Sequence, residues 1–110
     1  MEPVCDLANK QPCEGGTPAL SQPEINRFLS ELTGWQQQDQ FISKTYPFKN
    51  YYQTIAFVNA LAWMTHQADH HPDLIVTYNS CRVNYSTHAI GGLSENDFIC
   101  AAKADALFKL

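Results

Sequence analysis

From position 50 to position 69 the chain contains neither proline nor glycine, and Pro72 follows three residues later. Such a segment has one regular structure open to it, because Ile55, Val58 and Ala62 line up beside Thr54, Phe57, Leu61, Met64 and Ala68 at helical spacing. Its apolar stripe is broad and includes Trp63, which implies burial on more than one side, through a subunit contact or a second helix packing from above. The helix must end at or before His71, since the residue ahead of a proline is pushed out of the helical region. His70 and His71 therefore stand at a helix exit.

The flanking segments supply the layer for this helix to cover. Ser21 with Glu24 forms a capping box, Pro23 suits a first turn, and Ile25, Phe28, Leu29 and Leu32 keep the helical repeat until Gly34 stops it. Residues 35–38 and 41–48 flank a polar Asp39-Gln40 turn. Alternation of Phe41, Ser43 and Thr45 against Ile42, Lys44 and Tyr46 marks a β-hairpin whose far end Pro47 limits. Residues 74–78 and 81–87 predict a second hairpin, with Leu74, Val76, Tyr78, Cys81, Val83 and Tyr85 on its core face. Ser94 with Asp97 opens a last helix that turns Phe98, Ala101, Ala102 and Phe108 inward. The order helix, hairpin, helix, hairpin, helix specifies an α+β fold, a four-stranded antiparallel sheet covered on one face by three helices. Residues 1–20 carry Pro3, Pro12, Gly15, Gly16 and Pro18 without periodicity and read as an irregular arm; residues 21–110 form a single domain.

Composition excludes several function classes. With 45% apolar and 16% charged residues, the 110-residue chain can bury a core. A net charge of -4 argues against nucleic acid as a direct ligand. No run approaches the roughly 20 apolar residues of a membrane span, and the N-terminus lacks a signal-peptide layout, so a cytoplasmic protein is expected. Cys5, Cys13, Cys81 and Cys100 form no C-x-x-C pair and read as free thiols, the last two as small core residues, with an oxidised Cys5–Cys13 link left open.

All four histidines, His66, His70, His71 and His88, fall within one stretch. With Asn79 and Ser80 as the two turn residues, Tyr78 pairs with Cys81 and His71 lies opposite His88; a longer loop would slide that register. His66 and His70 are four apart and share a helix face. A single histidine at a helix end ordinarily serves the last carbonyls and the dipole, which accounts for His66 equally well. Three together, beside the helix-starting Asp97, point to proton transfer or metal binding. Asp97 has a structural role as well, as the third residue of its capping box, while Trp35, Phe57, Trp63 and Tyr78 read as core. The H-x-x-x-H pair with a third histidine is a set zinc accepts, but no glutamate sits inside it and the adjacent His70 and His71 splay apart. Separate proton donors and acceptors lining a cleft fit better than a metal site.

His66, His70-His71-Pro72, Tyr78, Thr87-His88 and Asp97, with Gly34-Trp35, Phe48-Lys49-Asn50-Tyr51, Phe57 and Gly91-Gly92-Leu93 around them, resemble the signature of the pterin-4a-carbinolamine dehydratase family over roughly residues 21–108. The resemblance implies a lyase that eliminates water from a 4a-hydroxytetrahydropterin to give quinonoid dihydropterin. It needs no cofactor, and it recycles the pterin of aromatic amino acid hydroxylases. It further implies the α+β layer above in a homodimer or homotetramer, with sheets joined edge to edge. By similarity His70 and His88 are the acid/base pair, His71 binds and orients the pterin, and Asp97 fixes or polarises one of them. Pro72, Tyr78 and His66 complete the substrate site, His66 standing where the family often has an acidic residue. The chemistry agrees with those residue types. Hydroxide leaves poorly, so an acid must protonate the departing oxygen while the neighbouring ring nitrogen loses a proton, and histidine, with an ordinary pKa of about 6.5, serves both halves. The family also includes dimerisation cofactors of a transcription factor and relatives linked to molybdopterin metabolism, which form the alternative reading.

Overall fold

The computed structural model of the chain describes residues 19–109. Helix α1 (Gln22–Ser30) begins where the capping box places it: the Ser21 N–H and hydroxyl both donate to Glu24 Oε1, at 3.0 and 2.9 Å. Gly34, at φ +86°, then turns the chain into β1 (Gln36–Gln38), a backbone conformation that a side chain would strain. Asp39 makes the turn into β2 (Phe41–Pro47) at φ +52°. Helix α2 (Tyr51–Ala68) is capped by Asn50, whose side chain accepts the Gln53 N–H at 2.9 Å. After β3 (Asp73–Val76) and β4 (Ser80–Tyr85), a 3-10 turn (His88–Ile90) leads to α3 (Glu95–Phe108).

The four strands form one antiparallel sheet in the order β1-β2-β4-β3, the expected α+β architecture. Ile42 and Tyr46 of β2 and Cys81, Val83 and Tyr85 of β4 are buried against the helices. Ser43, Arg82 and Asn84 alternate onto the other face, where the Arg82 Nε donates to Ser43 Oγ at 2.8 Å. Helix α3 is the centre of the core, with every residue of 96–102 buried. Phe28 stacks on Phe98 at 5.0 Å and fixes α1 to it, while Phe57 meets Phe108 at 6.2 Å and Tyr46 at 4.7 Å, joining α2 to both α3 and the sheet. Burial of Phe28, Phe57 and Phe98 stabilises the fold by about 1.5–3 kcal/mol each. Leu20 is tied to this domain too, its N–H donating to the Leu93 carbonyl at 2.9 Å.

Three local expectations require correction. The second hairpin pairs Val76 with Cys81 and Leu74 with Val83, so its turn residues are Tyr78 and Asn79, two register positions from the Asn79-Ser80 turn. The reason lies outside the hairpin: the Asn79 carbonyl accepts the Phe48 N–H at 2.8 Å and the Tyr78 carbonyl accepts the Thr54 hydroxyl at 3.0 Å, so the approach to α2 and its first turns capture the loop. Tyr78 thereby leaves the core face and is 63% exposed at the hairpin tip. Trp63, expected in the core, is 64% exposed, because it points away from the buried stripe of Thr54, Phe57 and Leu61. The second helix that packs on this stripe is α3.

Cys81 and Cys100 are buried free thiols, as expected, and burial pushes Cys100 up to about 12. Cys5 and Cys13, which read as free thiols with an oxidised link left open, and most of the 1–20 arm lie outside the described residues. No described helix is long and apolar enough to cross a membrane.

Candidate active site

Helix α2 ends as Pro72 requires. Asp69 takes the left-handed conformation at φ +52°, and its N–H and that of His70 close on the carbonyls of His66 and Thr65. The reversal directs the His70 ring inward, where it stacks on Tyr85, the last buried residue of β4, with centroids 5.5 Å apart and planes 18° from parallel. Burial raises the Tyr85 phenol far above its ordinary range, so the surface under the imidazole stays uncharged.

His70 Nε2 lies 2.6 Å from Asp97 Oδ1. Asp97 is fully buried in the first turn of α3, a position that costs heavily unless the carboxylate is surrounded by donors. The donors are present: Oδ2 accepts the Ser94 N–H at 2.9 Å and the Thr87 hydroxyl at 2.8 Å, and the helix N-terminus favours the charge. A carboxylate only accepts, so Nε2 is the donor, and in the neutral ring Nδ1 of His70 carries the lone pair.

His71 and His88 form the second half of the cluster. Their rings are 6.3 Å apart, both exposed, but the ladder does not place them there. His88 rides on the 3-10 turn beyond β4, held by the Thr87 N–H to the Gly92 carbonyl at 2.9 Å and by Gly91 at φ +62°. His71 Nδ1 is 3.3 Å from the Pro72 carbonyl and donates to it, which leaves Nε2 as its free nitrogen. Pro72 thus ends the helix and orients its neighbour.

Two predicted site residues stand apart. The His66 ring packs against Trp63 at 6.1 Å on the exposed side of α2. Tyr78 sits beside Thr54, and Thr54 is twelve residues from His66, about 18 Å at the helical rise. Conversely, Thr87, Ser94 and Tyr85 hold the histidine and aspartate in place although none was singled out for the site. Ser94 was legible only as a cap, and Tyr85 only as an inward strand position. Among the described residues no three His, Cys, Asp or Glu side chains converge as metal ligands.

The sequence profile of the pterin 4 alpha carbinolamine dehydratase family matches residues 18–107. The chain belongs to this family. A relative from Nitrosomonas eutropha, provisionally named pterin-4-alpha-carbinolamine dehydratase, is 63% identical over 97% of both chains. One of the same name from Nitrosomonas europaea is 62% identical over 99% of both. Among solved structures, the transcriptional coactivator/pterin dehydratase from Brucella melitensis superposes with a TM-score of 0.79 at 32% identity, covering 82% of this chain and 98% of its own. A pterin dehydratase-like protein described as a RuBisCO assembly factor in the alpha-carboxysome reaches a TM-score of 0.56 at 26% identity, over 66% and 84%. The names of the family and its members support pterin carbinolamine dehydratase activity.

Proposed function

We propose that the protein dehydrates a 4a-hydroxytetrahydropterin to quinonoid dihydropterin by histidine general acid/base catalysis, without a cofactor. The observation that carries this reading is the juxtaposition of two imidazole environments: His70, whose Nε2 is tied to buried Asp97, and the exposed His71–His88 pair. The C4a–O bond breaks as His88 protonates the departing oxygen. The N5 proton passes to the free Nδ1 of His70, and the N5 electron pair forms the C4a–N5 double bond. His71, oriented by Pro72, binds the pterin ring. His66, one turn before His70 on α2, takes a lesser part in binding, whereas Tyr78, beside Thr54 toward the other end of that helix, is left out of the site. The neutral heterocycle explains why a net charge of -4 is no obstacle to the substrate.

The physiological setting follows from the product. Quinonoid dihydropterin is returned to the tetrahydro form by a reductase, so the enzyme serves pterin-dependent aromatic amino acid hydroxylases, in the cytoplasm. Substituting His70 or His88 by alanine is expected to slow stopped-flow dehydration of chemically prepared 4a-hydroxypterin by about 10²- to 10⁴-fold with the far-UV spectrum unchanged. Wild-type rates in both variants would overturn the assignment.

The protein works as a homo-oligomer. Strand β3 is a sheet edge with exposed Ile75 and Val76, and Tyr52 and Trp63 are exposed on α2, all surfaces that a second copy would cover. Light scattering is expected to give a dimer or tetramer, and a monomer at assay concentration would exclude it.

A further inference from the structure

We infer that Thr87 is a positioning residue that couples the two catalytic histidines, its hydroxyl holding Asp97 against His70 while its backbone closes the turn that carries His88. The inference deepens the acid/base reading and rests on it. The Thr87 Oγ1 lies 2.8 Å from Asp97 Oδ2 and 2.7 Å from Ser94 Oγ. It donates to the carboxylate, so the Ser94 hydroxyl donates to it in turn, and a chain of donors runs from Ser94 through Thr87 into Asp97. With the Ser94 N–H also on Oδ2, that oxygen is fully engaged, and Oδ1 is left facing His70 Nε2 at 2.6 Å.

The backbone of the same residue does the second task. The Thr87 N–H donates to the Gly92 carbonyl at 2.9 Å, and the Thr87 carbonyl accepts from Ile90 at 3.2 Å. These bonds define the 3-10 turn, whose first residue is His88. A displacement of Thr87 therefore moves His88 directly and His70 through Asp97. Thr87 is set back from the reacting atoms, behind Asp97, so its effect is on geometry and proton placement rather than on substrate contact.

The test uses Thr87→Val, which keeps the branched shape and the backbone while removing the hydroxyl, and Thr87→Ser, which restores it. Thr87→Val is expected to lower kcat about tenfold with KM little changed, the size of one charge-assisted hydrogen bond. It should displace the pH profile of kcat and shift the ¹⁵N signals of the His70 imidazole, and Thr87→Ser should return all three toward wild type. Combined with Asp97→Asn it should add little, because both act on the same contact. Imidazole signals and pH profile at wild type in Thr87→Val overturn the inference, even where the rate falls through loss of stability. The NMR measurement needs no substrate. If His70→Ala and His88→Ala both dehydrate at the wild-type rate, the catalytic reading fails, and the ¹⁵N shifts alone decide whether Thr87 holds the Asp97–His70 pair.

Discussion

Helix α3 carries two sheltered carboxylates, eight residues apart, and they make opposite uses of the same physics. At its first turn Asp97 receives Ser94, Thr87 and His70. Near its end Asp105 receives the Trp35 indole N–H at 3.2 Å, the Lys44 ammonium at 2.8 Å and the Tyr46 hydroxyl at 2.5 Å. Each set satisfies a carboxylate that would otherwise be costly to bury. The donors differ in what they can do next. The Tyr46 phenol is pushed far above its ordinary range, first by burial and then by its bond to Asp105, and neither it nor an indole exchanges protons near neutrality. Asp105 is a pin between the first hairpin and α3. Asp97 instead faces an imidazole with a second, unengaged nitrogen, and in the acid/base reading proposed above that one donor is what lets its cluster move a proton.

The comparison is broken most severely by removing one charge from each cluster in turn. Asp97→Asn is expected to lower kcat on the order of a hundredfold or more, since the imidazole loses its anionic partner and the acid/base step its fixed tautomer. Asp105→Asn is expected to destabilise the fold by about 2 kcal/mol, because Lys44 and Tyr46 lose a charged acceptor, while activity per folded molecule stays at wild type. Stopped-flow rates normalised to folded protein, read beside urea melts, separate the two. A loss of activity in Asp105→Asn equal to that in Asp97→Asn would erase the distinction.

How far each cluster was legible in the sequence follows from how local its contacts are. The Ser94-x-x-Asp97 and Ser21-x-x-Glu24 boxes are read within one turn of helix, and the exit of His70 and His71 follows from Pro72 alone. The α+β layer follows likewise from the alternation of two periodicities. The register of the second hairpin was not legible, because Thr54 and Phe48, more than twenty residues away, capture the carbonyls of Tyr78 and Asn79. Tyr78 moves with that register, and Trp63 is not legible because a large apolar side chain carries no label saying which face of a helix it occupies. Thr87 belongs with them, since its bond to Asp97 spans ten residues and a turn, and a threonine beside a histidine has many ordinary roles.

The smallest effect is expected where the box motif of α3 recurs without its shelter. Ser21 and Glu24 form the same reciprocal cap at α1, but in solvent, and no imidazole stands beyond it. Ser21→Ala should cost about 1 kcal/mol of stability and nothing in rate. Its pH dependence has a definite sign. The Ser21 backbone N–H, and then its hydroxyl, hold the Glu24 carboxyl below its ordinary 4.5 in the folded state. A lowered folded value means the cap's charge contributes fully above 4.5 and is lost as pH falls through that lower value. Thermal melts of wild type and Glu24→Gln should accordingly differ at pH 7 and converge as the pH drops below 4.5. A difference that instead grows in acid would show that the exposed box holds α1 by something other than its charge, and the contrast with Asp97 would then rest on burial alone.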